Sequence, residues 1–175
     1  MSVAAAFFDR DGVINRSPGN GYVLKPEDFH LNDGLVDALR FFQDREFLSV
    51  VVTSQRCVGK GLITRLELDA LHEKMQSELA KAGVAFDAIY AFTGEPGTED
   101  WEKPKPGMIK AAVGEHGIDL TRSLLIGDAD RDIEMARNSN IPTTIRVRTD
   151  KPLGIDADHT IDDLRELTPL LKLIF

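Results

Sequence analysis

Val3-Ala4-Ala5-Ala6-Phe7-Phe8-Asp9-Arg10-Asp11-Gly12 is an apolar run stopped by two acids one residue apart. A strand with one wet face alternates apolar with polar residues, so an unbroken apolar run predicts a strand covered on both sides. Residues 48–53 and Leu124–Gly127 are nearly continuous in apolar character and read the same way. Ala88–Phe92, Thr143–Val147 and a short His159–Ile161 complete the strand candidates.

Between these runs the apolar spacing becomes helical. Leu35, Val36, Leu39 and Phe42 share one face of a helix expected to begin near Asn32-Asp33. Thr64 and Glu67 have the spacing of a capping box, in which each side chain accepts from the other residue's backbone N–H. Leu68, Leu71, Met75 and Leu79 follow at helical period, with Gly83 as a left-handed stop. Pro106 can open a further helix, since its missing N–H has no helical partner to lose. Met108, Ile109, Ala112 and Val113 form that helix's buried face, and Gly117 closes it. Ile133 and Ala136 mark a short helix after the fourth strand. Asp162 is the expected cap of a last helix through Leu164, Leu167 and Leu171, with Pro169 an irregularity. Such alternation predicts right-handed crossovers and an α/β fold, a parallel sheet with helices on both faces. No repeat, low-complexity tract or linker interrupts it, so residues 1–175 are expected to form one domain.

Composition bounds the function. The 175 residues carry 21 Lys and Arg against 29 Asp and Glu, a formal charge of -8. That excess repels polyanions and argues against a nucleic-acid or anionic-membrane partner. A single cysteine excludes a disulfide framework and any Cys-only zinc cluster, and it fits a reducing compartment. No apolar run approaches the roughly 20 residues of a membrane span. The first residues lack the basic region of a signal peptide. A cytoplasmic protein, monomeric or a small homo-oligomer, is expected.

Four segments carry chemistry, each starting where an apolar strand stops or in a long loop. In Asp9-Arg10-Asp11-Gly12 the paired carboxylates are costly unless a cation or hydrogen bonds offset their repulsion, although Asp11-Gly12 also suits a plain polar turn. Val52-Thr53-Ser54-Gln55 ends a β-branched strand on two hydroxyls, a pattern that simple helix caps share. Glu102-Lys103-Pro104-Lys105-Pro106 lies in the second of two long loops, 10–31 and 93–105, where lysines are usually solvated. Gly127-Asp128-Ala129-Asp130-Arg131-Asp132 can turn two carboxylates to one cation, or merely suit a helix N-terminus. In a parallel sheet all four fall on one edge, where such folds bind ligands.

Taken together, the four segments resemble the haloacid dehalogenase (HAD) superfamily of phosphotransferring hydrolases: Asp-x-Asp, then Ser/Thr, then Lys, then an acidic pair. The resemblance spans nearly the whole chain and implies a three-layer, Rossmann-like HAD fold. The spacing between segments leaves no room for a separate cap domain. Asp9-Arg10-Asp11-Gly12-Val13-Ile14-Asn15, Gly21-Tyr22-Val23, Thr53-Ser54-Gln55 and Lys103-Pro104-Lys105-Pro106-Gly107-Met108 are similar to the branch that holds heptose-bisphosphate and histidinol phosphatases. Gly21-Tyr22-Val23, Phe29 and Asp33-Gly34 favour the heptose side.

The resemblance implies a Mg²⁺-dependent phosphomonoesterase of a small phosphorylated metabolite. Asp9 would be the nucleophile, ionised at neutral pH without a helper base, and Asp11 the general acid and base. Asp9, Asp128 and the Asp11 carbonyl would hold the metal. Thr53, with the Gly12 and Ser54 amides, would bind phosphoryl oxygens. Lys103 would offset the charge on the transferred group, and Asp132 would orient Lys103 or a metal-bound water. Asn20, Gln55 and Arg56 complete the expected substrate contacts, with Arg56 or Lys60 as the group for a second anion.

Two departures from the branch matter. Its zinc-binding Cys/His loop has no counterpart in 90–102, so no structural zinc is expected, with Phe92 and Trp101 packing the loop instead. Its arginine before the motif lysine is Glu102 here, a charge reversal. Four alternatives stand beside it: a histidinol phosphatase, a phosphatase of nucleic-acid ends, against which the acidic charge argues, a receiver-like module that is phosphorylated once without turnover, and a degenerate non-catalytic domain, against which the full set of chemical groups argues. Cys57 and the four histidines, His30, His72, His116 and His159, show no ligand spacing. Gly59-Lys60-Gly61 lacks the remainder of a P-loop.

Overall fold

The structure, a computed structural model, describes residues 2–175. Strands β1 (Ala5–Phe8), β2 (Leu48–Ser54), β3 (Ala88–Phe92), β4 (Leu124–Gly127), β5 (Thr143–Val147) and β6 (His159–Ile161) form one sheet. Its order is β3-β2-β1-β4-β5-β6 and every pairing is parallel. Helices α1 (Leu35–Gln43), α2 (Arg65–Ala80), α3 (Gly107–His116), α4 (Asp130–Asn138) and α5 (Leu167–Ile174) cover both faces.

The nearly continuous apolar character of the central strands is explained by that double cover. Ala6 and Phe8 point into a core with α1, α2 and α5, where Phe8 meets Phe42 and Phe86 edge to face. Ala5 and Phe7 point the other way, into a second core with α3 and α4. All four of these β1 residues are buried. Among the described residues no helix is long and apolar enough to cross a membrane.

Three expected boundaries move, each for a local reason. Val3 makes only an isolated bridge, because its backbone bonds Gly117 and Asp119 in the turn after α3. Helix α1 starts after Gly34, not at Asn32; Gly34 sits at φ +92°, and a Cβ there would run into the backbone of Leu164 and Arg165. Asp163, not Asp162, caps the last helical segment by accepting from the Arg165 N–H at 2.8 Å. Asp162 pairs with Arg148 instead. Pro169 falls in the first turn of α5, where an N–H has no helical partner, so the helix runs on. The capping box forms as expected, with Thr64 and Glu67 bonded reciprocally at 2.7 and 3.1 Å.

From β1 the chain builds outward to β2 and β3, then returns to place β4 on β1's other side. Connections therefore diverge above the C-terminal ends of β1 and β4, and the crevice they leave is where open parallel sheets bind ligands.

Candidate active site

Asp9 extends β1 by one residue, its N–H donating to the Ile126 carbonyl of β4 at 2.9 Å. Thr53 and Ser54 end β2, and Asp128 follows β4. Lys103 arrives from the β3–α3 connection, 94 residues from Asp9, and its ammonium lies 2.8 Å from Asp9 Oδ1 and 2.7 Å from Asp132 Oδ1. Asp9, Lys103, Asp128 and Asp132 are all buried. The fold brings Lys103 between Asp9 and Asp132, with Asp128 close beside them.

Charge is nearly but not fully balanced there. Burial pushes Asp9 up, but Lys103 and Lys151 outweigh it and hold the carboxyl below its usual range. Burial lowers the Lys103 pKa, but Asp132 and Asp9 outweigh it and hold it above the usual lysine value. Asp128 goes the other way, pushed up to about 7 by burial and by the charges of Asp9 and Asp132. Lys151, 2.8 Å away, offsets only part of that.

Asp11 stands beside this group in a cage of donors. Arg10 Nε and Nη2 reach its Oδ1 at 3.2 and 3.0 Å, and Asn15 Nδ2 reaches the same oxygen at 2.9 Å. Gln55 Nε2 donates to Oδ2 at 3.0 Å and to Thr53 Oγ1 at 2.9 Å. Burial raises Asp11, yet Arg10, Asn15 and Gln55 together hold it below the usual range. Because Gln55 occupies a lone pair of Thr53, the hydroxyl hydrogen is left to donate elsewhere.

Several expected substrate contacts have other work. The Gly12 N–H donates to the Asn15 carbonyl at 2.8 Å, so it is committed to the loop. Gly12 serves by what it lacks: at φ +89° a Cβ would collide with the Asp128 carboxylate. The Gln55 side-chain amide is occupied by Asp11 and Thr53. Arg56 is ion-paired with Glu102 and lies over the Phe92 ring. Lys60 donates to the Tyr22 hydroxyl at 2.9 Å. Asn20 is exposed on the 15–25 loop, and Ser54 is half-buried. In the 93–105 loop Trp101 packs edge to face on Tyr90, with ring centroids 5.8 Å apart.

A divalent cation suits the donor set. Oxygens of Asp9, Asp128 and Asp132 lie within 4.8 Å of one another, all hard ligands of the kind Mg²⁺ takes. Asp132 is already committed: its Oδ2 accepts from the N–H groups of Asp128 and Ala129, and its Oδ1 from Lys103. Asp9 Oδ1 also accepts from Lys103, and the Asp128 carboxylate is held by Lys151 and Thr149, so a cation between Asp9 and Asp128 would take over the charge that Lys151 now supplies to Asp128. The elevated Asp128 is the mark of a carboxylate short of positive charge.

Sequence reading missed Arg10, His72, Thr149 and Lys151. The last two follow β5 on the same sheet edge as the four motifs, and that position was the available signal. Thr149 Oγ1 lies 3.2 Å from Asp128. Buried Arg146 anchors the segment that carries Lys151, donating to the carbonyls of Pro152 and Ile155 and to Asp130. Arg10 and His72 meet across 62 residues, with no local pattern to announce them.

Comparison with known proteins agrees with the geometry. A family model of HAD-hydrolase-like proteins matches residues 100–167. The chain is 35% identical to the D-glycero-beta-D-manno-heptose-1,7-bisphosphate 7-phosphatase of Yersinia pestis, over 98% of this chain and 97% of that protein. It is 34% identical to the D-glycero-alpha-D-manno-heptose-1,7-bisphosphate 7-phosphatase of Campylobacter jejuni, over 98% of each. Among solved structures, a HAD-like phosphatase of Mesorhizobium loti superposes with a TM-score of 0.85 at 26% identity, covering 99% of this chain and 86% of that one. The D,D-heptose 1,7-bisphosphate phosphatase of B. bronchiseptica, crystallised with magnesium and phosphate, superposes with a TM-score of 0.83 at 24% identity over the full length of both.

Proposed function

The chain belongs to the heptose-1,7-bisphosphate 7-phosphatase family of HAD phosphatases, and from that premise we propose that it hydrolyses a sugar phosphate through a phosphorylated Asp9. The observation that carries the reading is the buried Asp9–Lys103–Asp132 array beside a caged second carboxylate, Asp11. A lysine held between two acids keeps its charge in a buried cleft, where it can offset the developing charge of a transferring phosphoryl group.

In the first step an Asp9 carboxylate oxygen bonds to phosphorus as the bond to the leaving oxygen breaks. Asp11 gives that oxygen a proton. In the second step Asp11 takes a proton from water as the water attacks phosphorus, and the Asp9–phosphorus bond breaks to release inorganic phosphate. The resting Asp11 is ionised; the negative charge of an arriving phosphoryl group works against Arg10 and raises it, so it can take up the proton it donates. Thr53 donates its free hydroxyl hydrogen to a phosphoryl oxygen. Asp9, Asp128 and the Asp11 carbonyl would hold Mg²⁺. That ion supplies the positive charge that lets a phosphate dianion approach an acidic protein.

The test is Mg²⁺-dependent phosphate release from a panel of sugar phosphates and from an aryl phosphate. Repeated turnover is expected; one phosphate per chain would mean a receiver-like module instead. Asp11→Asn should lower kcat/KM about 1,000-fold for an alkyl ester but about tenfold or less for an aryl ester, whose leaving group departs without a proton. Equal losses on both would remove Asp11 from the acid role.

D-glycero-D-manno-heptose 1,7-bisphosphate is the first substrate to try, because the family relatives are named for it. Its second phosphate would have to compete with Glu102 for Arg56. Exposed ion pairs of this kind contribute up to about 1 kcal/mol, so Glu102→Gln should raise kcat/KM for the bisphosphate about two- to fivefold. A monophosphate should be unaffected. Parallel kinetics on the two esters measure it, and a bisphosphate rate that stays constant or falls would show that Arg56 has no part in recognition.

A further inference from the structure

We propose that His72, on α2, is a positioning residue that acts through Arg10 to fix the Asp11 oxygen that exchanges the proton. The inference rests on the acid–base role proposed above for Asp11. Arg10 is completely buried, a cation walled in by protein. Its Nε and Nη2 both address Asp11 Oδ1, its guanidinium stands 5.7 Å from the Phe29 ring centre, and its Nη1 lies 3.1 Å from His72 Nε2.

A guanidinium has only donors, so His72 Nε2 must be the acceptor and the ring must be neutral, with its proton on Nδ1. Burial and the neighbouring Arg10 favour that state, lowering the ring's pKa to about 4. No other acceptor for Nη1 occurs among the described residues. Without His72 the Nη1 of this buried cation would have no acceptor at all, and the guanidinium would turn to find one, taking Nε and Nη2 off Asp11.

The consequence for Asp11 is directional. Its Oδ1 accepts from Arg10 twice and from Asn15 once, which fills it. Its Oδ2 accepts only from Gln55. The transferable proton therefore travels on Oδ2. His72 sets the angle of Arg10, which in turn holds Asp11, without itself reaching the cleft.

His72→Leu removes the acceptor, and His72→Gln keeps one at the reach of Nε2. The probes are an alkyl ester, glucose 6-phosphate, and an aryl ester, p-nitrophenyl phosphate. The quantity is kcat/KM, which reads only the steps up to departure of the alcohol. His72→Leu should lower it about 10- to 100-fold for the alkyl ester and less than about threefold for the aryl ester, a fraction of the full acid–base contribution. His72→Gln should restore the alkyl rate to within about threefold. Equal losses on both esters, or a His72→Gln variant as impaired as His72→Leu, would overturn the proposal.

Nitrogen NMR of the wild-type imidazole is independent of whether a variant folds. The ring should stay neutral with Nε2 unprotonated throughout the neutral range, and a ring protonated at neutral pH would overturn the proposal as well. Failure of the phosphatase reading looks different: the wild-type protein would turn over neither ester.

Discussion

Replacing Asp9 with Asn should abolish phosphate release, lowering kcat by at least about 10,000-fold, while the protein still folds. The amide has the shape of the carboxylate but no oxygen nucleophilic enough to form the phospho-enzyme. Positioning by Lys103 and Thr53 would remain, so substrate should still bind. The cost to stability should be modest for two opposing reasons. Lys103 loses one of its two acid partners, worth about 1–3 kcal/mol, whereas Asp128 is relieved of a like charge. Because Asp9 is held below its usual range, the stability it contributes is present at neutral pH and is lost as pH falls through its folded pKa. At neutral pH Asp9, the proposed nucleophile, is therefore ionised, and the acid limb of the rate profile should arise from another group. Phosphate release, with thermal melting as the folding control, measures the effect. Turnover above about one per cent of wild type in Asp9→Asn would end the covalent mechanism.

Asp128→Asn should destroy activity and yet make the metal-free protein more stable at pH 8. The sign follows from the direction of the shift. Asp128 has a folded pKa of about 7 against an ordinary 3.8, so the folded state holds a proton that the unfolded chain has already released. Stability from this group is full below about pH 4, declines as pH rises, and reaches its lowest value above 7. The penalty there is at most about 4 kcal/mol. Asparagine removes most of it, though it also gives up the ion pair with Lys151. A rise in Tm of about 3–8 °C at pH 8 is expected, shrinking toward zero near pH 5. Millimolar Mg²⁺ should raise the Tm of the wild-type protein and leave that of Asp128→Asn unchanged. A variant that melts lower than wild type at pH 8, or that Mg²⁺ still stabilises, would contradict the assignment of Asp128 as the under-compensated metal ligand.

The parts that could be read in one dimension share a physical feature: their signal is local. Apolar continuity in 3–8, 48–53 and 124–127 reports double-sided burial, because any strand with a wet face would have interrupted it. Thr64 and Glu67 report a helix start because both partners of the reciprocal bond lie within one turn. Asp9, Asp11, Thr53, Lys103 and Asp128 were legible as a group because each follows a strand or sits in a long loop at one sheet edge.

What could not be read depended on residues brought together by the fold. Asp162 and Asp163 are equivalent on paper; only Arg148 on one side and the Arg165 N–H on the other divide their tasks. Arg56 has the chemistry of an anion receptor, but Glu102, 46 residues on, pairs with it. Gly12 reads as an amide donor until the Asn15 carbonyl claims that N–H and the Asp128 carboxylate fills the space where a side chain would stand. His72 looks like one more helical histidine until Arg10 lies against it.

Taken alone, the amino-acid order determined a parallel α/β sheet and which acids, hydroxyl and lysine gather at its edge, because burial and strand ends impose a short-range pattern. Only the tertiary structure decided which of those groups remain available for chemistry. Each hydrogen bond to a neighbour distant in sequence removes a donor or acceptor from the site, and those neighbours are chosen by packing.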